Sequence, residues 1–152
     1  MRVTIAAIGK AKPGILRDLY RHYAERSRWP VVLKEMEVKA KLPAPEMMAR
    51  EAALLLEAVP SGARLVALDE RGRDLSSADL AATLGGWRDG GTGDIAFVIG
   101  GADGLDENVR RQADLLLAFG RATWPHMMVR GMLAEQLYRA QQILAGHPYH
   151  RE

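Results

Sequence analysis

Apolar positions along this chain fall into short runs whose period switches between two and about three and a half. Val3, Ile5 and Ile8 lie in an apolar run that Gly9 closes, which predicts a buried strand over residues 2–9. Ile15, Leu19, Tyr20 and Tyr23 then fall at helical spacing and predict a helix over 15–27. Trp29-Pro30 ends it, because the residue before a proline is pushed out of the α region. A second strand is expected over 31–38, a two-proline, two-lysine connection over 39–45, and a helix over 46–59 that Pro60-Ser-Gly62 stops. Residues 64–68 are nearly all apolar, as in a parallel strand covered on both faces. Ser76-Ser-Ala-Asp79 resembles a capping box opening a third helix, with Leu80, Leu84 and Trp87 on its inner face and Gly85-Gly86 weakening its far half. A fourth strand (95–99), a helix (105–113), a fifth strand (115–119) and a long last helix (125–145) complete the pattern. Strand and helix in alternation predict an α/β fold with a mainly parallel sheet flanked by helices, in a single domain over 1–152.

Composition narrows the function classes. The 152 residues are 48% apolar and 26% charged, ordinary for a soluble globular chain. No apolar run approaches the roughly 18 residues of a membrane span, and the opening Met1-Arg-Val-Thr-Ile-Ala-Ala-Ile is too short for a secretion signal. There is no cysteine, which removes disulfides, thiolate metal sites and cysteine nucleophiles. No metal site is expected, and a cytoplasmic location is. The net charge of +2 is too small for a protein that holds nucleic acid by bulk attraction, so any RNA contact must be local and shaped.

In an open parallel sheet, ligands collect at the C-terminal ends of the strands. Three such ends carry suggestive residues: Leu68-Asp69, Gly100-Gly101, and the run from Phe119 to Trp124. Glycine lets the backbone approach a ligand, although Gly100-Gly101 also fits a tight strand-to-helix turn. No Gly-Lys-Ser/Thr follows Gly100-Gly-Ala-Asp-Gly104, and it does not fit the dinucleotide fingerprint, so neither a P-loop nor a full Rossmann unit is indicated. The basic loop over 39–45 is either a solvated connection or a segment near a phosphate. His126 is either a helix-start histidine bound to backbone or a group that binds RNA or moves a proton. Glu135 and Arg139 share a helix face, as a surface pair or as a carboxylate fixed beside a site. The tail His147-Pro-Tyr-His-Arg151 concentrates rings, imidazoles and a guanidinium, groups that stack on bases and bind phosphates.

Five segments taken together carry a resemblance: Leu68-Asp-Glu-Arg-Gly-Arg-Asp-Leu-Ser-Ser77, Phe97-Val-Ile-Gly-Gly-Ala-Asp-Gly-Leu105, Thr123-Trp-Pro-His-Met-Met-Val-Arg130, Glu135-Gln-Leu-Tyr-Arg-Ala140 and His147-Pro-Tyr-His-Arg-Glu152. The chain resembles, over essentially its whole length, the bacterial ribosomal RNA large-subunit methyltransferase H family. These are SPOUT-class enzymes that use S-adenosylmethionine (SAM) to methylate N3 of a pseudouridine in 23S ribosomal RNA. The resemblance implies an α/β fold with a C-terminal trefoil knot, a SAM site, and a homodimer with the last helix in its interface. It also implies the assembled ribosome as the target. The family's cofactor-contacting positions match Leu68, Gly100, Gly101, Phe119, Gly120, Arg121, Ala122, Thr123 and Trp124. For the N3 proton, Glu135, His126 and His150 are the candidate catalytic groups. Arg130, Arg139 and Arg151 are expected at RNA phosphate, and Tyr149 on a base. The competing readings are a SPOUT methyltransferase acting on another rRNA or tRNA base, and a non-catalytic ribosome-binding protein on the same scaffold.

Overall fold

The computed structural model describes residues 1–151. Five strands form one sheet in the order β2-β1-β4-β3-β5, every neighbouring pair parallel. They are β1 (Arg2–Ile8), β2 (Val31–Met36), β3 (Arg64–Arg73), β4 (Asp94–Ile99) and β5 (Leu115–Leu117). The helices are α1 (Ile15–Ala24), α2 (Ala44–Glu57), α3 (Ser77–Asp89), α4 (Glu107–Gln112) and α5 (His126–Leu144). Among the described residues no helix is long and apolar enough to cross a membrane.

The period of two along each strand divides the apolar residues between two cores. Val3, Ile5, Val66, Ile95, Phe97, Leu115 and Leu117 meet α1, α3 and α5 through Tyr20, Leu80, Leu84, Leu133 and Leu137. Ala6, Ala67, Ala96 and Val98 face the other way and meet α2 and α4 through Ala52, Leu55 and Val109. Side chains on that second face are smaller. The central strands are buried on both faces, so their runs are continuously apolar. Leu133 and Leu137, on the apolar face of the last helix that suits a dimer contact or an intramolecular core, lie in the first core at 0% and 1% exposure.

Element boundaries differ from the sequence expectation where polar residues blur the period. α2 begins at Ala44 with Pro45 in its first turn, where a proline's missing N–H costs nothing. α3 runs unbroken through Gly85-Gly86, and its cap is the expected one: Ser76 Oγ accepts from the Asp79 N–H at 3.0 Å. β3 does not stop at Leu68. Its charged arm continues to Arg73 and returns to β5, so that Leu117 pairs with both Leu68 and Arg73. The Ala118 N–H donates to the Arg73 carbonyl at 3.0 Å. Gly72 makes this possible, because a Cβ there would fall 2.6 Å from the Leu116 carbonyl carbon.

Candidate functional site

A cavity of about 580 Å³ opens at the C-terminal ends of β3, β4 and β5, within the range of roughly 300–1,000 Å³ usual for small-molecule sites. Leu68 and Ile99 form its inner wall, and Gly100 to Leu105 one side. Phe119, Gly120, Ala122, Thr123, Trp124 and Pro125 form the other side, and His126 and Val129 of α5 close it. Eight of the nine positions expected at a cofactor therefore lie together. Arg121 is exposed and does not line the cavity.

Local chemistry fixes these walls. The loop before α5 closes on itself: Trp124 Nε1 donates to the Phe119 carbonyl at 2.8 Å, and Gly120 takes φ 82°, a left-handed conformation that suits glycine. The Gly120 N–H donates to Asp74 Oδ1 at 3.2 Å, and Thr123 Oγ1 to Glu70 Oε2 at 3.5 Å, so the β3 arm braces the loop. On the opposite side the Gly104 N–H donates to the Gly101 carbonyl at 3.0 Å and makes a small hook. A Cβ at Gly100 would fall 2.9 Å from the Gly104 oxygen, so the hook closes only on glycine. Asp69, at the end of the apolar part of β3, lies 3.5 Å from Arg110 of α4, and both side chains are largely buried. Arg110 also donates to the Leu105 carbonyl at 2.6 Å, tying the hook to the strand end.

The cavity carries charges of both signs. Asp69, Glu70 and Asp103 line the cavity against Arg71 and Arg110. Behind Gly101 lies Glu51 of α2, 8% exposed, whose Oε1 has no hydrogen-bond partner. Burial first, and the charge of Asp103 second, push its carboxyl above the ordinary value. Sequence reasoning missed Glu51. The available signal was its place on α2, three residues after the cavity-lining Met48 and four before the buried Leu55, on a face where a solvated charge does not belong.

The other expected residues separate. His126 is at the cavity. Glu135 lies six residues beyond Val129, roughly 9 Å further along α5 at 1.5 Å per residue, and does not line the cavity. It belongs to a second cluster built by the tail. Arg139 grips Glu135 Oε1 through Nε at 2.9 Å and Nη2 at 2.6 Å. The Tyr149 hydroxyl donates to the same oxygen at 3.1 Å, and the Arg139 guanidinium lies 4.8 Å from the Tyr149 ring centre. Tyr149 also meets Tyr138 edge-on at 4.9 Å, and Arg139 lies 3.1 Å from His150 Nδ1. Burial, then the bond to Glu135, push the Tyr149 phenol up to about 12, so it stays a donor. Arg151 is exposed.

Arg130 is a correction. Expected at RNA phosphate, it is 2% exposed and holds the fold instead. Nη1 donates to Glu35 Oε2 at 2.6 Å, and Nη2 to the carbonyls of Ile8 at 3.2 Å and Gly9 at 2.9 Å. It sits three and seven residues before Leu133 and Leu137, on the helix face that packs inward.

Residues 1–150 match a family described as predicted SPOUT methyltransferase. The chain is 64% identical over 151 residues to the ribosomal RNA large subunit methyltransferase H of Rhodospirillum centenum, covering 99% of each. It is 60% identical, with the same coverage, to the protein of that name from Paramagnetospirillum magneticum. Among solved structures, a probable methylase family protein from Haemophilus influenzae superposes with a TM-score of 0.60 at 14% identity. That superposition covers 99% of this chain and 70% of the other, a likeness of fold.

Proposed function

Because the chain belongs to the SPOUT methyltransferase family, we propose that it transfers a methyl group from SAM to N3 of a pseudouridine in 23S ribosomal RNA. The full-length likeness to curated large-subunit rRNA methyltransferases carries this reading. The strand-end cavity fits the cofactor it requires. Its apolar walls suit an adenine, the uncovered backbone of Gly100 and Gly101 offers polar groups at close range, and the exposed Asp103 carboxylate suits a cation.

When bound, SAM supplies a methyl group on a sulfonium, an electrophile. Leu68, Phe119 and Trp124 exclude water from the reacting atoms, and the loop over 119–125 orients the cofactor, so that alignment rather than covalent chemistry lowers the barrier. The N3 of a pseudouridine carries a proton that must leave. His126 is the one of the three candidate acceptors at the cavity within a single chain, and its imidazole takes that role. Glu135, Tyr149 and His150, held together on the far part of α5, serve the cavity of a second copy in a homodimer. Support for such a pairing comes from apolar positions left open on α1 and before α5: Ile15 at 84%, Leu19 at 36% and Trp124 at 42% exposure. Arg139, Arg151 and Tyr149 then meet RNA, presented by the assembled ribosome.

The test is mass spectrometry of 23S rRNA from a strain lacking the gene. The expected result is loss of one methyl from a single pseudouridine, restored by the wild-type gene. An unchanged large-subunit rRNA, with a methyl missing from tRNA, would refute the substrate assignment.

A further inference from the structure

Glu51 is a buried charge that neither the fold nor the transfer step explains. It is 8% exposed, and its Oε1 makes no hydrogen bond. A carboxylate in that state costs free energy unless something compensates it, and in a site that needs nothing there an apolar residue would serve better. Its position is specific. A Cβ on Gly101 would fall 2.7 Å from Glu51 Oε2 and 3.2 Å from Oε1, so only hydrogen separates the carboxylate from the backbone of the cavity's hook. Met48, one helical turn earlier on the same face of α2, lines the cavity itself. Asp103 lies on the hook near enough to raise the Glu51 carboxyl further, and Glu70 faces the same space. No described lysine or arginine pairs with Glu51. Within the chain, a retained proton is what relieves this carboxyl, and a cation brought into the cavity beside it would favour its charged form instead.

The methyl donor is cationic at its sulfonium, and the thioether product is neutral at the same sulfur. A carboxylate a few ångströms away distinguishes the two. At an effective dielectric of about 20 such an attraction changes affinity by about tenfold or more. Resting on the SAM reading above, we propose that Glu51, backed by Asp103, is a cofactor-positioning residue. It acts on the sulfonium side of the donor across the Gly101 backbone, and so makes the cavity prefer the charged donor over the spent product. A site with this bias takes up substrate and releases product without moving a wall.

The experiment is calorimetric titration of the full chain, wild type, Glu51→Gln and Asp103→Asn, with three probes. These are SAM, the neutral product S-adenosylhomocysteine, and sinefungin, which carries an ammonium where SAM carries its methylsulfonium. For Glu51→Gln, affinity for SAM and sinefungin should fall by about tenfold or more while affinity for S-adenosylhomocysteine changes little. Asp103→Asn, an exposed position that keeps the fold, should show a smaller loss of the same selectivity. Equal losses for all three probes, or none, would overturn the inference and leave Glu51 a packing residue. Failure of the wild-type chain to bind any of the three would overturn the SAM reading and the inference together.

Discussion

Two arginines about two and a half turns apart on one helix show how the same side-chain chemistry divides between fold and function. Arg130 and Arg139 both lie on α5 and both bind a glutamate, yet one is sealed inside and the other stands at the tail. Replacing Arg130 by methionine takes a donor from the carbonyls of Ile8 and Gly9 and removes the ion-pair partner of Glu35. A loss of about 3 kcal/mol is expected in urea denaturation, the low end for breaking a buried pair, because Glu35 keeps some contact with water. The Glu35 carboxyl also makes stability depend on pH. Burial alone would raise it, but the Ala11 N–H, Arg130 and Lys10 outweigh burial and hold it below its ordinary value. A depressed folded-state value means that the unfolded chain takes up the proton first as pH falls. The stabilisation is therefore complete above the ordinary carboxylate range and disappears as pH drops through the lowered value. Urea midpoints measured across that acid range should fall for the wild type and fall less steeply for Glu35→Gln.

At the scale of elements, the helices and strands of the core were legible from apolar period, since Val3, Ile5, Ile95 and Phe97 have nowhere to go but inward. The Ser76 cap was legible for the same reason: its chemistry is local. The β3 arm was not, because residues 69–73 are mostly charged and are held by β5, some 45 residues later in the chain. Nor was the fate of Arg130 read, although its spacing with Leu133 and Leu137 placed it on the inner face. Of the candidate site, the glycine-bearing strand ends and the loop before α5 were visible as breaks in period. Glu51 was hidden inside a helical run. Another long-range brace ties α5 to the segment between α1 and β2. Gln141, buried, accepts from the Arg28 N–H at 2.8 Å and donates to Ser27 Oγ at 2.8 Å. Gln141→Ala leaves these groups unpaired, and thermal or urea unfolding should show a loss of roughly 1–3 kcal/mol.

For the whole molecule, the arrangement separates two tasks along one helix. The start of α5 closes the cavity, and its far part anchors the tail through Glu135, Arg139 and Tyr149. A chain ending after Pro148 should fold and bind SAM with nearly unchanged affinity, since no described tail residue lines the cavity of its own chain, while methyl transfer to ribosomes is lost. Binding by calorimetry alongside a labelled-methyl transfer assay checks both halves, and retained transfer would remove the tail from the mechanism.

The claim on which all of this depends is that the cavity at the ends of β3, β4 and β5 holds the methyl donor. A crystal structure of the chain with SAM tests it most directly. The account predicts the donor seated between the Gly100–Gly104 hook and the loop over 119–124, with its sulfonium on the Glu51 side. A donor bound elsewhere, or a cavity filled by the chain's own side chains at saturating SAM, would contradict it.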